Sequence, residues 1–421
     1  MISRRRFIGA STAALAVPLA GGLRAPRASA ATQVRPAAGT QPGAAAATAA
    51  TLAVNLQNNT GSDTVYAYVT GQALDNGNAL MLLESDGQTP YYPASPAAVG
   101  SPLAADCAIP LGASGGAPTP VTIPHLAGAR IWFSIGSPLE FLLNPGPALV
   151  EPSVTNPSDP NIDLQWDFCE LTYNDAQVFA NISFVDFVCI PVALTLTGSA
   201  GTQAVPGLPG GGLDTVCAGL AAQAAADGSG WNDLIISRNE NHLRALSPVN
   251  AMVLNSGLLA GYYDSYVSQA WQKYATTPLS VDTQASFGTV TGEVSGGLLT
   301  FAGVGSFAQP SAADIFSCNS GPFSPAGLSA EMLAILPRLA AAFNRSTLLI
   351  DASQPDGEDP ADYYTNAITN HYARIVHATT TGGRGYAFPY DDVAPAGGAD
   401  QSGSVSDPAP SLLTVTLGPV H

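Results

Sequence analysis

The stretch "CELTYNDAQVFANISFVDF", residues 169–187, decides the fold, because it contains two alternating, strand-like runs with a turn signal between them. The turn signal is "YNDAQ", in which Asn and Asp favour a reversal of the chain. Such a turn can lay the two runs side by side in one sheet. Two acids, Glu170 and Asp186, stand within these apolar runs, although only 11% of the chain is charged and 46% is hydrophobic.

The two acids can share one face of the predicted sheet. Side chains alternate along a strand, so Glu170 and Thr172 project to one face while Cys169 and Leu171 project to the other. If both carboxylates face a partly apolar groove, one can stay protonated as an acid while the other stays ionised as a base. One acid and one base of this kind are the minimum set of catalytic groups for glycoside hydrolysis. The spacing alone fits two ordinary solvent-facing acids equally well.

The rest of the chain predicts two lobes. Short alternating runs from residue 51 to 205, separated by Gly, Pro and Asn, favour a β-sandwich or barrel. Residues 206–365 favour a mixed α/β lobe, with a hairpin turned at Gly296 and Gly297 and with helices in "LDTVCAGLAAQAAADG", "LLAGYYDSYVSQAWQKYA" and "LSAEMLAILPRLAAAFNRS". Residues 366–421 return to strand character in "HYARIVHATT", "GRGYAFPYDDV" and "SLLTVTLG". We therefore expect an α/β domain inserted into a β domain, with a groove between them.

The N-terminus predicts export. "SRRRFIG" places Arg4 and Arg5 before a short apolar run, and "ASA" at residues 28–30 offers a small-residue cleavage site. We interpret residues 1–30 as a twin-arginine signal peptide of a secreted protein; an uncleaved anchor is the alternative. Residues 31–50, "ATQVRPAAGTQPGAAAATAA", lack bulky side chains and predict a disordered linker.

Charge and cysteine spacing limit the partners. A net charge of -17 at pH 7 excludes nucleic acid and anionic membrane surfaces as binding partners, since both bind to a basic protein surface. We expect a monomer that makes no membrane contact once the signal is removed. The five cysteines show neither a CxxC pair nor zinc-type spacing, and the five histidines are scattered, so we expect no metal and no cofactor. Outside the cell the cysteines could form up to two disulfides, with undetermined pairing.

Several motifs resemble one family of enzymes. They are "ELTYND" at 170–175, "FANISFVDF" at 179–187, "FNRSTLL" at 343–349, "YYTNAITNHYARIVH" at 363–377 and "GRGYAFPYDDV" at 383–393. Together they resemble glycoside hydrolase family 64, the β-1,3-glucanases that release laminaripentaose, and more distantly the thaumatin-like proteins. The resemblance runs in order from about residue 52 to 420. It implies a mainly β fold, in which a thaumatin-like β-barrel or sandwich domain and a mixed α/β domain form a crescent with a wide groove.

The resemblance also implies roles for individual residues. Chemistry in the family is inverting, and its motifs place the general acid at Glu170 and the general base at Asp186. The sugar-contacting Thr and Asn of the family fall on Thr172 and Asn174. Inversion needs room for a water molecule, so the two carboxyl groups are expected roughly 6.5 to 9.5 Å apart.

Four further residues are candidates for contact with substrate. Asp391 and Asp392 match the acidic cleft of thaumatin-like proteins, and we expect at least one to face the groove; a pair of turn acids is the alternative. Phe179 and Tyr390 could stack on sugar rings, although a role in the core is as plausible.

The sequence thus predicts a secreted β-1,3-glucanase that acts on laminarin, curdlan or fungal wall glucan and releases short oligosaccharides. One alternative is a glucan-binding protein that keeps the groove but does not cleave. Another is an enzyme of the same fold that prefers a different linkage.

Overall fold

Short strands supply most of the regular structure up to residue 205. A computed structural model describes residues 48–398 and 401–421. The predicted signal peptide and all but the last three residues of the predicted linker lie outside these ranges. The strands of this first part are β1 (Thr51–Asn58), β2 (Val65–Ala73), β3 (Ala79–Leu83), β4 (Pro90–Tyr91), β5 (Ser101–Pro102), β6 (Ile109–Pro110), β7 (Thr119–Pro124), β8 (Leu126–Ile135), β9 (Leu142–Asn144), β10 (Ala148–Val150), β11 (Gln165–Asn174), β12 (Gln177–Ile182), β13 (Phe187–Val188), β14 (Val192–Gly198) and β15 (Gly201–Val205).

Helices and strands mix in the remainder of the chain. The α-helices are α1 (Gly212–Asp227), α2 (Pro248–Leu254), α3 (Asp264–Tyr274), α4 (Ala312–Ser317), α5 (Ala330–Arg345) and α6 (His371–Thr379). The strands are β16 (Ile235–Arg238), β17 (Asn241–Leu246), β18 (Leu279–Asp282), β19 (Thr289–Ser295), β20 (Leu298–Phe301), β21 (Gly305–Phe307), β22 (Ser353–Gln354), β23 (Ser404–Asp407) and β24 (Pro410–Leu417). Short 3-10 helices cover Leu74–Asn76, Gly230–Leu234, Gly321–Phe323, Pro360–Asp362 and Thr381–Gly383.

Two large sheets share one hydrophobic core. One sheet has the order β23-β12-β11-β8-β2-β3-β4, with β6 also paired to β2, and the other has the order β15-β14-β24-β1-β7. Alternate residues of each sheet point inward, such as Leu52 and Val54 on β1 and Cys169 and Leu171 on β11. The fold is therefore mainly β. Neither sheet closes on itself within the described residues, so the barrel alternative is wrong: closure requires the two edge strands to pair.

The C-terminus returns to the first sheets, as the pattern of "SLLTVTLG" predicts. β24 lies between β1 and β14 and runs parallel to β1, while β23 pairs with β12. The exact domain boundaries at residues 205 and 365 stay predictions.

Two segments predicted to be strands are not strands. "HYARIVHATT" forms α6, because Tyr372, Ile375 and Val376 recur at helical spacing and bury one side, and the Asn370 side chain caps the first turn. "GRGYAFPYDDV" runs as turns and loop, with a single bridge between Tyr386 and Ser183. The β-branched residues of α6 misled the prediction, since tertiary packing overrides a weak local preference.

Other local predictions are confirmed. α3 and α5 lie within the predicted helices, and α1 begins one residue before its predicted segment. The Ser329 side chain caps α5 by accepting a hydrogen bond from the Met332 N–H. Gly296 and Gly297 turn the β19–β20 hairpin with φ of 60° and 83°, a conformation that favours glycine at both positions.

The residues that the structure describes contain no disulfide, contrary to the possibility raised by the cysteine count. Cys107, Cys169, Cys189, Cys217 and Cys318 are all buried free thiols. The cysteines are buried separately: Cys169 lies inside the core, the Cys189 thiol donates to the Leu243 carbonyl, and the Cys318 thiol donates to the Ile315 carbonyl. In the part of the chain that the structure describes, no helix is long and apolar enough to cross a bilayer.

Candidate active site

A polar row crosses the larger sheet on the face opposite to that of Cys169 and Leu171. In register, Asn181 of β12 lies opposite Glu170 of β11, Glu170 lies opposite Arg130 of β8, and Arg130 lies opposite Thr70 of β2. Directly opposed residues project to the same face. The side chains of Glu170 and Arg130 keep 21% and 18% of their surface exposed, so the middle of the row is open to a ligand.

Arg130 joins the carboxylates of this site. Its guanidinium donates from Nε and one terminal nitrogen to Glu170 Oε1, at 3.2 and 3.1 Å, and its other terminal nitrogen lies 3.3 Å from Glu151 Oε2. The ring of Phe168 supports the guanidinium, with its centroid 4.2 Å away. Burial lowers the pKa of Arg130, but the charges of Glu170, Glu151 and Asp186 outweigh it and raise that pKa above its usual value. Glu170 and Asp186 therefore act on the same cation.

Asp186 lies in the segment that leads from the larger sheet to β13. It follows β12 and precedes β13, which pairs with β17, so it stands where the chain leaves the large sheet. Its backbone carbonyl accepts from the Ser247 N–H at 3.0 Å and from the Asn250 amide at 2.8 Å. The carboxylate Oδ1 lies 3.4 Å from that same amide. The start of α2 thus holds the candidate base, whereas the sheet holds the candidate acid.

Hydrogen bonds to the backbone of Phe184 hold the loop that precedes Asp186. The Tyr372 hydroxyl of α6 donates to the Phe184 carbonyl at 2.6 Å, and the Phe184 N–H donates to the Tyr386 carbonyl at 2.6 Å. On the core side of β11, Asp167 Oδ2 accepts from the N–H groups of Cys189 and Ile190 at 3.1 and 2.9 Å. These bonds clamp both ends of the Asp186 segment.

Three of the predicted sugar contacts lie on the same face as Glu170. Thr172 and Asn174 follow Glu170 at two-residue steps on β11, and Phe179 of β12 stands opposite Thr172. All three are half-buried. Asn174 Oδ1 accepts from the N–H groups of Ala176 and Gln177 at 2.9 and 3.1 Å, which shapes the β11–β12 turn. Its amide nitrogen is the atom that can donate to a ligand.

Of Asp391 and Asp392, at least one of which is predicted to face the groove, Asp391 is buried. Asp391 is 1% exposed, and both of its oxygens accept hydrogen bonds from inside the protein. Oδ1 lies 3.1 Å from Arg345, while Oδ2 lies 2.8 Å from His377 Nε2 and 2.9 Å from the Ala387 nitrogen. The physical reason is charge pairing: two buried cations require this carboxylate as their partner.

Tyr390 and Asp392 are half-buried. Burial raises the pKa of Tyr390 to about 12, with the charges of Cys318 and Asp392 acting in the same direction. Burial also raises the pKa of Asp392 to about 6, helped by Asp391 and opposed by Arg338. Contact of these two residues with substrate stays a prediction.

Sequence reasoning missed the residues that organise the two carboxylates. They are Arg130, Glu151, Asp167, Ser247 and Asn250. Arg130 and Asp167 carried a usable signal, because each is a charged residue inside an alternating apolar strand, as Glu170 is. Glu151, Ser247 and Asn250 lie in loops or at a helix start and show no such pattern.

A family profile described as β-1,3-glucanase, glycoside hydrolase family 64, matches residues 50–417. The chain belongs to glycoside hydrolase family 64. It is similar to a glucan endo-1,3-β-glucosidase of Cellulosimicrobium cellulans, with 30% identity over 312 residues that cover 71% of this chain and 53% of the relative. A relative from Arthrobacter sp. (strain YCWD3) with the same description gives the same figures. The chain thus spans about half the length of the curated relatives it matches.

Solved structures of family 64 share this fold. The structure of a laminaripentaose-producing β-1,3-glucanase in complex with laminaritetraose superposes with a TM-score of 0.79 at 34% identity, covering 89% of this chain and all of that chain (100%). A β-1,3-glucanase domain from Clostridium beijerinckii superposes with a TM-score of 0.68 at 22% identity, covering 90% of this chain and 100% of that one. At 22% identity, the similarity to this second structure supports only a shared fold.

Proposed function

We propose that this chain hydrolyses β-1,3-glucan with inversion, using Glu170 as general acid and Asp186 as general base. The observation that carries the proposal is the ion pair of Glu170 with Arg130 on the sheet, together with the charge of Asp186, which also raises the pKa of Arg130. Membership of family 64 supports the reaction class, and the 34% identical laminaripentaose-producing enzyme supports a short oligosaccharide, such as laminaripentaose, as product.

The chemistry requires one proton to be delivered and one to be removed. Glu170 donates its proton to the glycosidic oxygen as the bond from that oxygen to the anomeric carbon breaks. Asp186 takes a proton from a water molecule whose oxygen bonds to the anomeric carbon from the opposite face. Thr172, the Asn174 amide and the Phe179 ring bind the neighbouring sugars. The product therefore carries the opposite anomeric configuration from the bond that was cleaved.

Arg130 holds the candidate acid in place. Its guanidinium lies 3.1 Å from Glu170 Oε1, and Glu151 offers the same guanidinium a second carboxylate at 3.3 Å. Glu151 thus helps to fix the cation that orients Glu170.

Glu151→Gln is therefore expected to lower kcat several-fold while KM changes little, because a neutral amide replaces the charged partner that helps to hold Arg130 against Glu170. The measurement is kcat and KM on soluble laminarin, with exposed Glu140→Gln as the matched control. An unchanged kcat would contradict the role of Glu151.

The setting of the enzyme is also proposed. Residues 1–30 support export by the twin-arginine route, and we infer that the protein acts outside the cell as a monomer. The resemblance of "FVDF" and "YAFPYDD" to thaumatin-like motifs supports a crescent whose groove receives the glucan chain between the β domain and the second lobe.

The anomer of the first product tests the mechanism. NMR of the earliest products from linear β-1,3-glucan should show the α anomer, which then mutarotates to the equilibrium mixture. An initial β anomer would reject inversion. Insoluble curdlan that retains the protein without releasing soluble sugar would instead favour the non-catalytic, glucan-binding alternative.

A further inference from the structure

Three ligand-type side chains meet at one end of the larger sheet, beside the β11–β12 turn. Asp75 lies in the 3-10 turn after β2, His125 lies between β7 and β8, and Asp175 lies in the turn after Asn174. One ligand atom from each residue falls within 4.8 Å of the other two. The side chain of His125 is only 6% exposed, whereas those of Asp75 and Asp175 are 61% and 83% exposed.

The hydrogen bonds of Thr48 fix the tautomer of His125. The Thr48 hydroxyl has a single hydrogen, and it donates that hydrogen to the Asn174 carbonyl at 2.8 Å. Thr48 Oγ1 must therefore accept from the Nε2–H of His125, which lies 3.0 Å away. The ring is also held by Tyr173, whose centroid is 4.8 Å from that of the imidazole.

The other ring nitrogen then faces two anions. Nδ1 of His125 lies 2.9 Å from Asp75 Oδ2 and 3.5 Å from Asp175 Oδ1. Ionised carboxylates have no hydrogen to donate, so a bare lone pair on Nδ1 would meet only other lone pairs. A metal ion that accepts one lone pair from each of these three atoms would satisfy all of them.

The distances suit a metal ion. Two ligand atoms that each lie about 2.0–2.1 Å from a shared tetrahedral ion are about 3.3 Å apart, a value between the two distances observed here. Donation of the second imidazole N–H to an oxygen is how metal-bound histidines are normally oriented. The high exposure of both aspartates leaves room for water at the remaining coordination positions.

We propose that Asp75, His125 and Asp175 bind one divalent transition metal ion of the kind that accepts nitrogen and oxygen ligands, such as Zn²⁺. The ion ties together three chain segments that are distant in sequence. One of them is the turn that carries Asn174 and receives Thr48. The site is separate from Glu170 and Asp186, and it does not depend on the proposed reaction.

Calorimetric titration of the metal-free full chain with ZnCl₂ at pH 7.5 tests the site. We expect one Zn²⁺ per chain and a rise in Tm on binding, because a ligand that binds only the folded state stabilises it. Asp175→Asn should weaken binding by at least about tenfold and remove most of the Tm rise. Exposed Asp356→Asn, which removes the same charge elsewhere, should bind Zn²⁺ like the parent.

A second variant removes the nitrogen ligand. His125→Gln should also lose the binding, and absorption bands of Co²⁺ substituted into the parent should be absent from this variant. Stoichiometric binding that survives both Asp175→Asn and His125→Gln would place the ion elsewhere and overturn the proposal. The absence of stoichiometric binding to the parent would overturn it as well.

Discussion

Glu170→Gln is expected to lower kcat on linear β-1,3-glucan by about 10²–10⁴-fold. Gln keeps the size of the side chain and an oxygen that can accept from Arg130, but it has no proton to give to the leaving oxygen. The sheet around position 170 should therefore keep its structure, and the Tm should stay close to that of the parent. Release of reducing sugar from curdlan and laminarin is the measurement, with Glu140→Gln as the matched control.

A substrate whose leaving group needs no proton distinguishes the general acid from the general base. A dinitrophenol leaves without being protonated, so Glu170→Gln should recover most of its activity on a dinitrophenyl β-1,3-gluco-oligosaccharide. Asp186→Asn should lose a comparable factor on glucan and should not recover, because the attacking water still needs a base. The reverse pattern of recovery would exchange the two roles, and full activity of both variants on glucan would reject the site.

The arrangement of the site residues on the β11–β12 hairpin could be predicted from the sequence. Alternation in "ELTYND" and a turn at "YNDAQ" are enough to place Glu170, Thr172 and Asn174 on one face, because strand geometry fixes the direction of successive side chains. The same alternation correctly sends Cys169 into the core. Strand pairing within one hairpin is a short-range property, and short-range rules predicted it.

The contacts that join residues far apart in the chain could not be predicted from the sequence. The partner of Glu170 is 40 residues away on β8, and Asp186 is held by Asn250, 64 residues further along. Asp391 was assigned to the groove because it occupies an acidic motif, yet its neighbours Arg345 and His377 come from two helices that only the tertiary fold brings together. One sequence shows which residues are charged, but not which charges meet.

The network around Asp391 is the second place where a large effect is expected. The side chains of Arg345 and Asp391 are 0% exposed, and Glu358 at 1% lies 3.5 Å from the same guanidinium. His377 presents its two nitrogens to two acceptors, the Gly383 carbonyl and Asp391 Oδ2, each at 2.8 Å. An imidazole that faces two acceptors satisfies both only when it is protonated.

The pKa directions define when this network stabilises the fold. Burial lowers the pKa of His377, but Asp391 and its hydrogen bond raise it overall, so this stabilisation is complete below about pH 6.5 and is lost as the pH rises through the folded value. Burial raises the pKa of Asp391, but His377 and Arg345 lower it overall, so its stabilisation is present above about pH 3.9 and is lost in stronger acid. The network contributes most between these limits.

Asp391→Asn is therefore expected to lower the free energy of unfolding by about 3–5 kcal/mol at pH 5.5, because it leaves Arg345 and His377 buried beside a neutral amide. The loss should be smaller at pH 8.5, because the stabilisation that His377 contributes in the parent declines as the pH rises above about 6.5. Urea titrations at both pH values measure this difference. Exposed Asp356→Asn should change the free energy of unfolding by less than about 0.5 kcal/mol at either pH.

Asp391→Asn should also affect the loop that carries the candidate base, Asp186. Asp391 Oδ2 accepts from the Ala387 N–H, and the neighbouring Tyr386 carbonyl holds the Phe184 N–H two residues before Asp186. Loss of the Asp391 charge should therefore loosen the Asp186 loop and lower kcat more than it changes KM, even at temperatures where the variant stays folded. A variant as stable as the parent at pH 5.5, or one with equal losses at both pH values, would show that Asp391 is not the partner on which these buried cations depend.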